Sequence, residues 1–267
     1  MKRAYAIALL GIISIGLLLA QSSPDGDGSA GSPLPVWVPG MLSIHQIATG
    51  RGNSALIIMP DGTTLLVDAG AAGDGIAETD PHPDASRSPG AWIVRYLQRH
   101  LPKGVSSLDY ALITHFHADH MGQLRASSPL ASEGTYRLAG ITEVGDAIPI
   151  HRMLDRAWPD YSYLAPADEN MANYRRFLVA QQKNGMTVER FKPGLNTQVV
   201  LRHDAAKYPE FEIQNVIANG ELCVVVQLGF VQSFAAHSDQ ERLREDALYK
   251  FMQFQWDVLG TVAMSKK

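Results

Sequence analysis

Leu108-Asp109-Tyr110-Ala111-Leu112-Ile113-Thr114-His115-Phe116-His117-Ala118-Asp119-His120-Met121-Gly122 passes from a short apolar run straight into three imidazoles and one carboxylate within six positions. Leu108 to Ile113 reads as a strand, so the polar cluster sits at a strand's carboxyl end, where open α/β sheets present their sites. Packing alone gives clustered histidines little reason to be there, whereas a shared metal ion does. Side chains two apart in extended backbone point the same way, so His115 and His117 can grip one ion. The sharper turn into a following helix brings Asp119 and His120 toward a second. Divalent ions such as zinc accept imidazole nitrogen and carboxylate oxygen at about 2.0 to 2.2 Å.

Upstream, Ala55 to Met59 and Thr64 to Val67 are apolar runs separated by Pro60-Asp61-Gly62-Thr63, a β-hairpin pattern in which proline presets the turn. Leu65, Leu66 and Val67 are apolar on both faces, as in a strand covered on both sides, and the run stops at Asp68-Ala69-Gly70. Asp68 has two readings: a carboxylate that orients a ligand histidine, or a turn former before Gly70. Ala71 to Pro89 reads as a surface loop. Trp92, Ile93, Tyr96, Leu97 and Leu101 then recur at helical spacing until Pro102. Strand, strand, helix, strand implies a sheet with at least one helical layer.

Downstream, turn signals at Gly134, Gly140, Gly145, Pro149 and Pro159 make Gly122 to Tyr163 read mostly as loop. Asp168 opens a helix carrying Met171, Tyr174, Phe177 and Leu178, which ends at Lys183-Asn184-Gly185. Met186 to Phe191, Gln198 to Leu201, Phe211 to Ile217 and Leu222 to Leu228 are strand candidates. Ser238 with Glu241 forms a capping box ahead of a last amphipathic helix through Leu243, Leu248, Phe251 and Val258.

The chain has 267 residues, 46% hydrophobic and 19% charged, proportions of a folded globular protein rather than a disordered one. A net charge of -4 argues against a broad nucleic-acid-binding surface. Cys223 stands alone, which excludes an intrachain disulfide and zinc sites built from several thiolates; any metal rests on histidines and carboxylates. Residues 1–20 begin with Lys2 and Arg3 and continue as an uncharged apolar run, the pattern of an export signal; the alternative is an uncleaved membrane anchor. Gln21 to Pro35 reads as a flexible leader, and 36–267 as the folded domain.

His115-x-His117-x-Asp119-His120, preceded by a hydrophobic strand and Thr114, is similar to the signature of the metallo-β-lactamase superfamily, and Asp68 matches that family's earlier aspartate. Thr49-Gly50-Arg51-Gly52-Asn53, Pro60-Asp61-Gly62-Thr63-Thr64 and Gly140-Ile141-Thr142-Glu143-Val144-Gly145-Asp146 resemble an exported bacterial branch, related to the β-lactamase-like domain of competence DNA-uptake proteins. The resemblance covers about Met41 to Gly220. It implies an α/β fold of the four-layer αββα sandwich type and a one- or two-metal site, zinc first with manganese or iron as alternatives. It also implies hydrolysis of a small-molecule or phosphodiester substrate, with His115, His117, Asp119 and His120 as metal ligands, Asp119 also serving catalysis, and Asp68 holding a ligand ring.

Family members usually draw further ligands from their second half, and no matching signature stands after Gly220, which implies a truncated or altered C-terminal half. The candidates are His151, His203, Asp204, His237 and Asp239. His237, before the last helix, is either a ligand or a residue beside a helix cap. Non-catalytic metal binding is therefore the rival expectation, with a redox di-iron variant behind it. Arg51 and Asn53 are substrate contacts or ordinary turn residues, Asp155-Arg156 a structural ion pair, and His45 a strand residue with a satisfied ring.

Overall fold

In the computed structural model of the chain, residues 34–72, 83–162, 165–218, 221–226 and 230–235 are described. Contacts divide the chain into Met1–Val36 and Trp37–Lys267, and all that follows concerns the second unit. Its centre is a six-stranded sheet in the order β1 (Ser43–Gln46), β2 (Ala55–Ile58), β3 (Thr64–Val67), β4 (Leu108–Ile113), β5 (Ile150–Asp155), β6 (Thr187–Arg190). The first three strands form an antiparallel meander, and β3 through β6 pair in parallel. Parallel neighbours need crossovers. Here they carry α1 (Pro89–His100), then α2 (Ala118–Met121) and α3 (Ile141–Ala147), then α4 (Glu169–Lys183). A second, antiparallel sheet joins β7 (Ile217–Ala218), β8 (Glu221–Val226) and β9 (Phe230–Ala235). The fold is mixed α/β, as expected.

Alternation along the strands builds two cores. Leu56, Ile58, Leu66, Ala111, Ile113 and Met153 face the helices and meet Ile93, Leu97, Val144, Tyr174 and Phe177. Ile57, Met59, Leu65, Tyr110, Leu112 and Leu154 face the opposite way and meet Val199, Leu201, Tyr208, Phe211 and Ile213. Burial on both faces is why β2 and β3 read as continuous apolar runs. The helix ends obey local rules: the Ser88 side chain accepts from the Ala91 N–H at the start of α1, and the Asp168 side chain accepts from the Met171 N–H at the start of α4.

Two expectations are corrected. The stretch read as mostly loop, Gly122 to Tyr163, contains α3 and β5. Seven residues are too few to show a helical period, and α3 includes Gly145, where an added Cβ would stand 2.5 Å from the Phe177 ring. In β5 the apolar alternation is broken by exposed His151 and by Arg152, whose guanidinium lies over the Tyr110 ring. Gln198 to Leu201 forms no strand, and of Phe211 to Ile217 only Ile217 enters one. That segment lies on the sheet as irregular chain because side chains, not a neighbouring strand, take up its backbone polar groups. Tyr110 Oη donates to the Val200 carbonyl and accepts from the Val200 N–H, while the N–H groups of Arg202 and His203 donate to Thr63 Oγ1 and Asp61 Oδ2. The expected export signal and last helix lie outside the described residues.

His45 on β1 faces α1, with Nδ1 2.9 Å from the Tyr96 hydroxyl and its ring 5.4 Å from that of His100. Burial first, and the neighbouring His100 second, lower the His45 pKa; burial, then Arg99, lowers that of His100. Folding therefore disfavours protonation of both rings, and the unfolded chain binds more protons as pH falls through the ordinary histidine value of about 6.5. Stability contributed here is full above that value and is lost below it. The urea midpoint is expected to rise between pH 5 and pH 7, and the rise should shrink in a His45→Gln, His100→Gln double variant; an unchanged pH slope would refute this account.

Candidate metal centre

Three residues stand level across the carboxyl edge of the sheet. Register pairs Val67 with Leu112 and Ile113 with Asp155, so Asp68 and Asp155 flank the end of β4. Asp68 is fully buried and holds φ +59°, the left-handed region that aspartate tolerates better than most residues. Its N–H donates to the Leu112 carbonyl at 2.8 Å. Its carboxylate accepts from the Thr114 N–H on Oδ1 at 2.8 Å, and on Oδ2 from Thr114 Oγ1 at 2.8 Å, Asn53 Nδ2 at 2.9 Å and His120 Nδ1 at 2.7 Å. One bond to a charged group contributes about 1.5 to 3 kcal/mol, so these bonds together outweigh the about 1 to 2 kcal/mol that left-handed backbone costs an ordinary residue. Asp68 thus turns the backbone ahead of Gly70 while its side chain meets the His120 ring.

The Thr114 hydroxyl donates to Asp68 and so can only accept from His120 Nδ1, 2.9 Å away. The His120 proton therefore lies on Nδ1, and the lone pair on Nε2, which stands 3.8 Å from Asp119 Oδ2. Donor atoms of His115, Asp119 and His120 all lie within 4.8 Å of one another. Two donors about 2.1 Å from a shared ion stand about 3.4 Å apart at a tetrahedral angle, so the set has the spacing that an ion would draw together. Burial foremost, then the neighbouring His120 and His117 rings, lower the His115 pKa, which favours the neutral ring that ligates. This half-buried group of two imidazoles and a carboxylate fits a zinc-like divalent ion.

His117 stands at the start of the short helix α2, exposed, its ring 4.8 Å from that of His115, and it lies outside the three-residue group. Phe116 between them is buried against Tyr161 and Tyr174. Both of those hydroxyls donate to buried Asp155, at 2.6 and 3.0 Å, as do the N–H groups of Ala157 and Trp158. Burial, then the Asp155 charge, raises both phenol pKa values. Asp155 thus secures the apolar residue inside the motif rather than offering a ligand.

Backbone contacts fix the cluster from below. The Asn53 N–H donates to the Asp119 carbonyl at 2.8 Å, Ala69 to His120 at 2.9 Å, Gly70 to Asn53 at 3.0 Å and Ala71 to Ala118 at 3.1 Å. These bonds place the chain at Gly70 directly under the motif, where an added Cβ would lie 1.8 Å from the Asp119 carbonyl oxygen. Gly140, at φ +53°, meets Ala69 and Met121 in the same way. Gly70 and Gly140 therefore mark crossings of backbone on backbone.

Among the described residues, the second-half candidates His151, His203 and Asp204 do not join the group. His151 Nε2 meets Ser107 Oγ at 3.1 Å, and His203 Nε2 meets Asp109 Oδ2 at 3.2 Å near the opposite end of β4. The Asp204 N–H donates to Asp61. His237 and Asp239 lie outside the described residues. The sequence offered Asn53 as a substrate contact or a turn residue and gave Thr114 no role of its own; the parallel register of β3 and β4 is the feature that places Thr114 on Asp68. Gly70→Ala is expected to cost about 1 to 3 kcal/mol by overpacking and to weaken metal binding by displacing Asp119. Urea unfolding and a zinc titration check this, and a variant equal to the parent in both would show that the crossing is not tight.

No curated protein matches the chain. Among solved structures, a variant of CmlA beta-hydroxylase is similar at 13% identity over 57% of this chain and 29% of that one, with a TM-score of 0.29. CmlA itself, a diiron beta-hydroxylase from Streptomyces venezuelae, is similar at 15% identity over 56% and 30%, with a TM-score of 0.28. The chain spans less than a third of the length of those proteins. Residues 48–130, which carry Asn53, Asp68 and the whole His/Asp motif, match the metallo-beta-lactamase superfamily.

Proposed function

We propose that this protein is an exported, metal-dependent hydrolase whose centre is held by His115, Asp119 and His120, with His117 as a further ligand. The observation that carries this reading is the convergence of three donor atoms within 4.8 Å at the end of β4, beside a buried carboxylate that sets the His120 tautomer. The superfamily match over 48–130 covers the same residues. When bound, a divalent ion supplies Lewis-acid chemistry, lowering the pKa of a water toward about 7 and polarising a substrate oxygen. Asp68 keeps the His120 proton on Nδ1 and the ring at a fixed angle. Asp119, its side chain 43% exposed, is the carboxylate that a solvent molecule reaches first, and it orients the attacking water by accepting its proton in a hydrogen bond.

Zinc suits the nitrogen and oxygen donors, with manganese and iron as alternatives. The likeness of the Thr49–Asn53 and Gly140–Asp146 motifs to competence-protein domains supports a phosphodiester substrate within an αββα sandwich. Export rests on residues 1–20, which lie outside the described residues; no helix among the described residues is long and apolar enough to cross a membrane. A second reading, metal binding without turnover, is favoured by one fact: all three grouped donors come from a single motif. Full activation of water also needs an open position in a shaped cavity.

Purified protein is expected to carry near-stoichiometric metal and to hydrolyse an activated aryl phosphodiester. Bound metal without turnover of phosphodiester, ester or lactam would establish the second reading. His115→Ala and His120→Ala should each remove most of the metal, and Asp68→Ala should weaken binding by about 10- to 100-fold. Metal analysis that finds both histidine variants fully loaded would refute the site. His117→Ala separates a ligand from a bystander: retained affinity would remove it from the set.

A further inference from the structure

The Gly-rich turn before β2 contains a residue whose contacts exceed what a turn requires. Asn53 is half-buried, and its backbone does not need an asparagine: among the described residues Asp68 is the non-glycine residue with positive φ. Its hydrogen bonds instead reach two different parts of the centre. The main-chain N–H donates to the Asp119 carbonyl at 2.8 Å, the carbonyl accepts from the Gly70 N–H at 3.0 Å, and Nδ2 donates to Asp68 Oδ2 at 2.9 Å. That oxygen also receives His120 Nδ1.

We propose that Asn53 is a positioning residue for the metal centre: its side chain fixes the Asp68 carboxylate, and through it the His120 ring, while its main chain fixes Asp119. The proposal rests on the metal-site reading and adds to it a residue that touches no ligand atom. The chemistry follows from the donor inventory. Asp68 Oδ2 lies among three side chains, and the carboxamide Nδ2–H is a donor with no lone pair to compete for the His120 proton. A carboxylate pinned by Asn53 on one side and Thr114 on the other cannot rotate about its own axis, so Nδ1 of His120 meets an acceptor in one place. Such outer partners hold a ligand ring in one tautomer and orientation, and affinity depends on them.

Asn53→Ala removes the side-chain donor, and Asn53→Leu removes it while keeping the same branched heavy-atom skeleton; the main-chain bonds survive in both. Three measurements are made on the full chain: urea unfolding without metal, zinc affinity by competition with a chromophoric chelator, and the imidazole nitrogen signals of metal-free protein at one fixed pH. In the parent, His120 should show a proton on Nδ1 and a bare Nε2. In both variants the His120 signals should move toward a tautomer mixture and zinc affinity should fall about tenfold, the low end for an outer partner, with unfolding little changed.

The proposal is overturned by an unaltered His120 ring, or by affinity within twofold of the parent. If affinity falls only in proportion to lost stability, Asn53 is a turn residue and the proposal also fails. Should the parent bind no zinc, the metal reading fails by itself, and the His120 signals still decide whether Asn53 positions that ring. If one variant does not fold, the other carries the same comparison.

Discussion

Everything at the carboxyl edge of the sheet depends on one buried carboxylate. Asp68 receives four hydrogen bonds from Asn53, Thr114 and His120 while its backbone turns through left-handed space. Those partners belong to the turn before β2, the end of β4 and the helix α2, so the group ties three chain segments to the end of β3. An unpaired carboxylate buried this deeply would be strongly unfavourable. Its partners must therefore be present together, and that requirement sets the position of His120.

The sheet makes this meeting possible. β3 and β4 run parallel and in register, which brings the residue after each strand to the same edge. The second level of control is steric. Gly70 and Gly140 let backbone cross backbone with no side chain between, so the motif loop rests on main chain rather than on adaptable side chains. Across β4, Asp155 does for Phe116 what Asp68 does for His120: a buried carboxylate satisfied by tyrosine hydroxyls and backbone amides locks the apolar residue of the motif. With Phe116 held inward, its neighbours point away from the core, His115 half-buried and His117 exposed.

Away from this edge the two faces of the sheet are covered differently. Helices cover one face through a regular period. The other is covered by irregular chain, Val199 through Ile213, whose amides bond to Tyr110, Thr63 and Asp61 instead of to a strand. A side-chain acceptor can replace a ladder partner wherever its geometry is right, and apolar residues then pack on the sheet without strand pairing. Apolar alternation in this segment consequently looked like strands.

The residues themselves specified the central strands, the helices α1 and α4, and the concentration of His115, His117, Asp119 and His120 at the end of β4, because hydrophobic period and local caps act over a few neighbours. They also offered Asp68 as a partner of that cluster, with a turn former before Gly70 as the other reading. Tertiary structure alone decided which donors converge. It grouped His115, Asp119 and His120, left His117 exposed at the start of α2, and drew Thr114 and Asn53 onto Asp68. It also revealed β5 and α3, whose short, interrupted patterns mean little until Tyr110 and Phe177 pack on them. The physical reason is range: a period is a property of adjacent residues, whereas a hydrogen bond from Asn53 to Asp68, or an Asp119 carbonyl resting on Gly70, exists only once strands in register have brought distant segments to one edge.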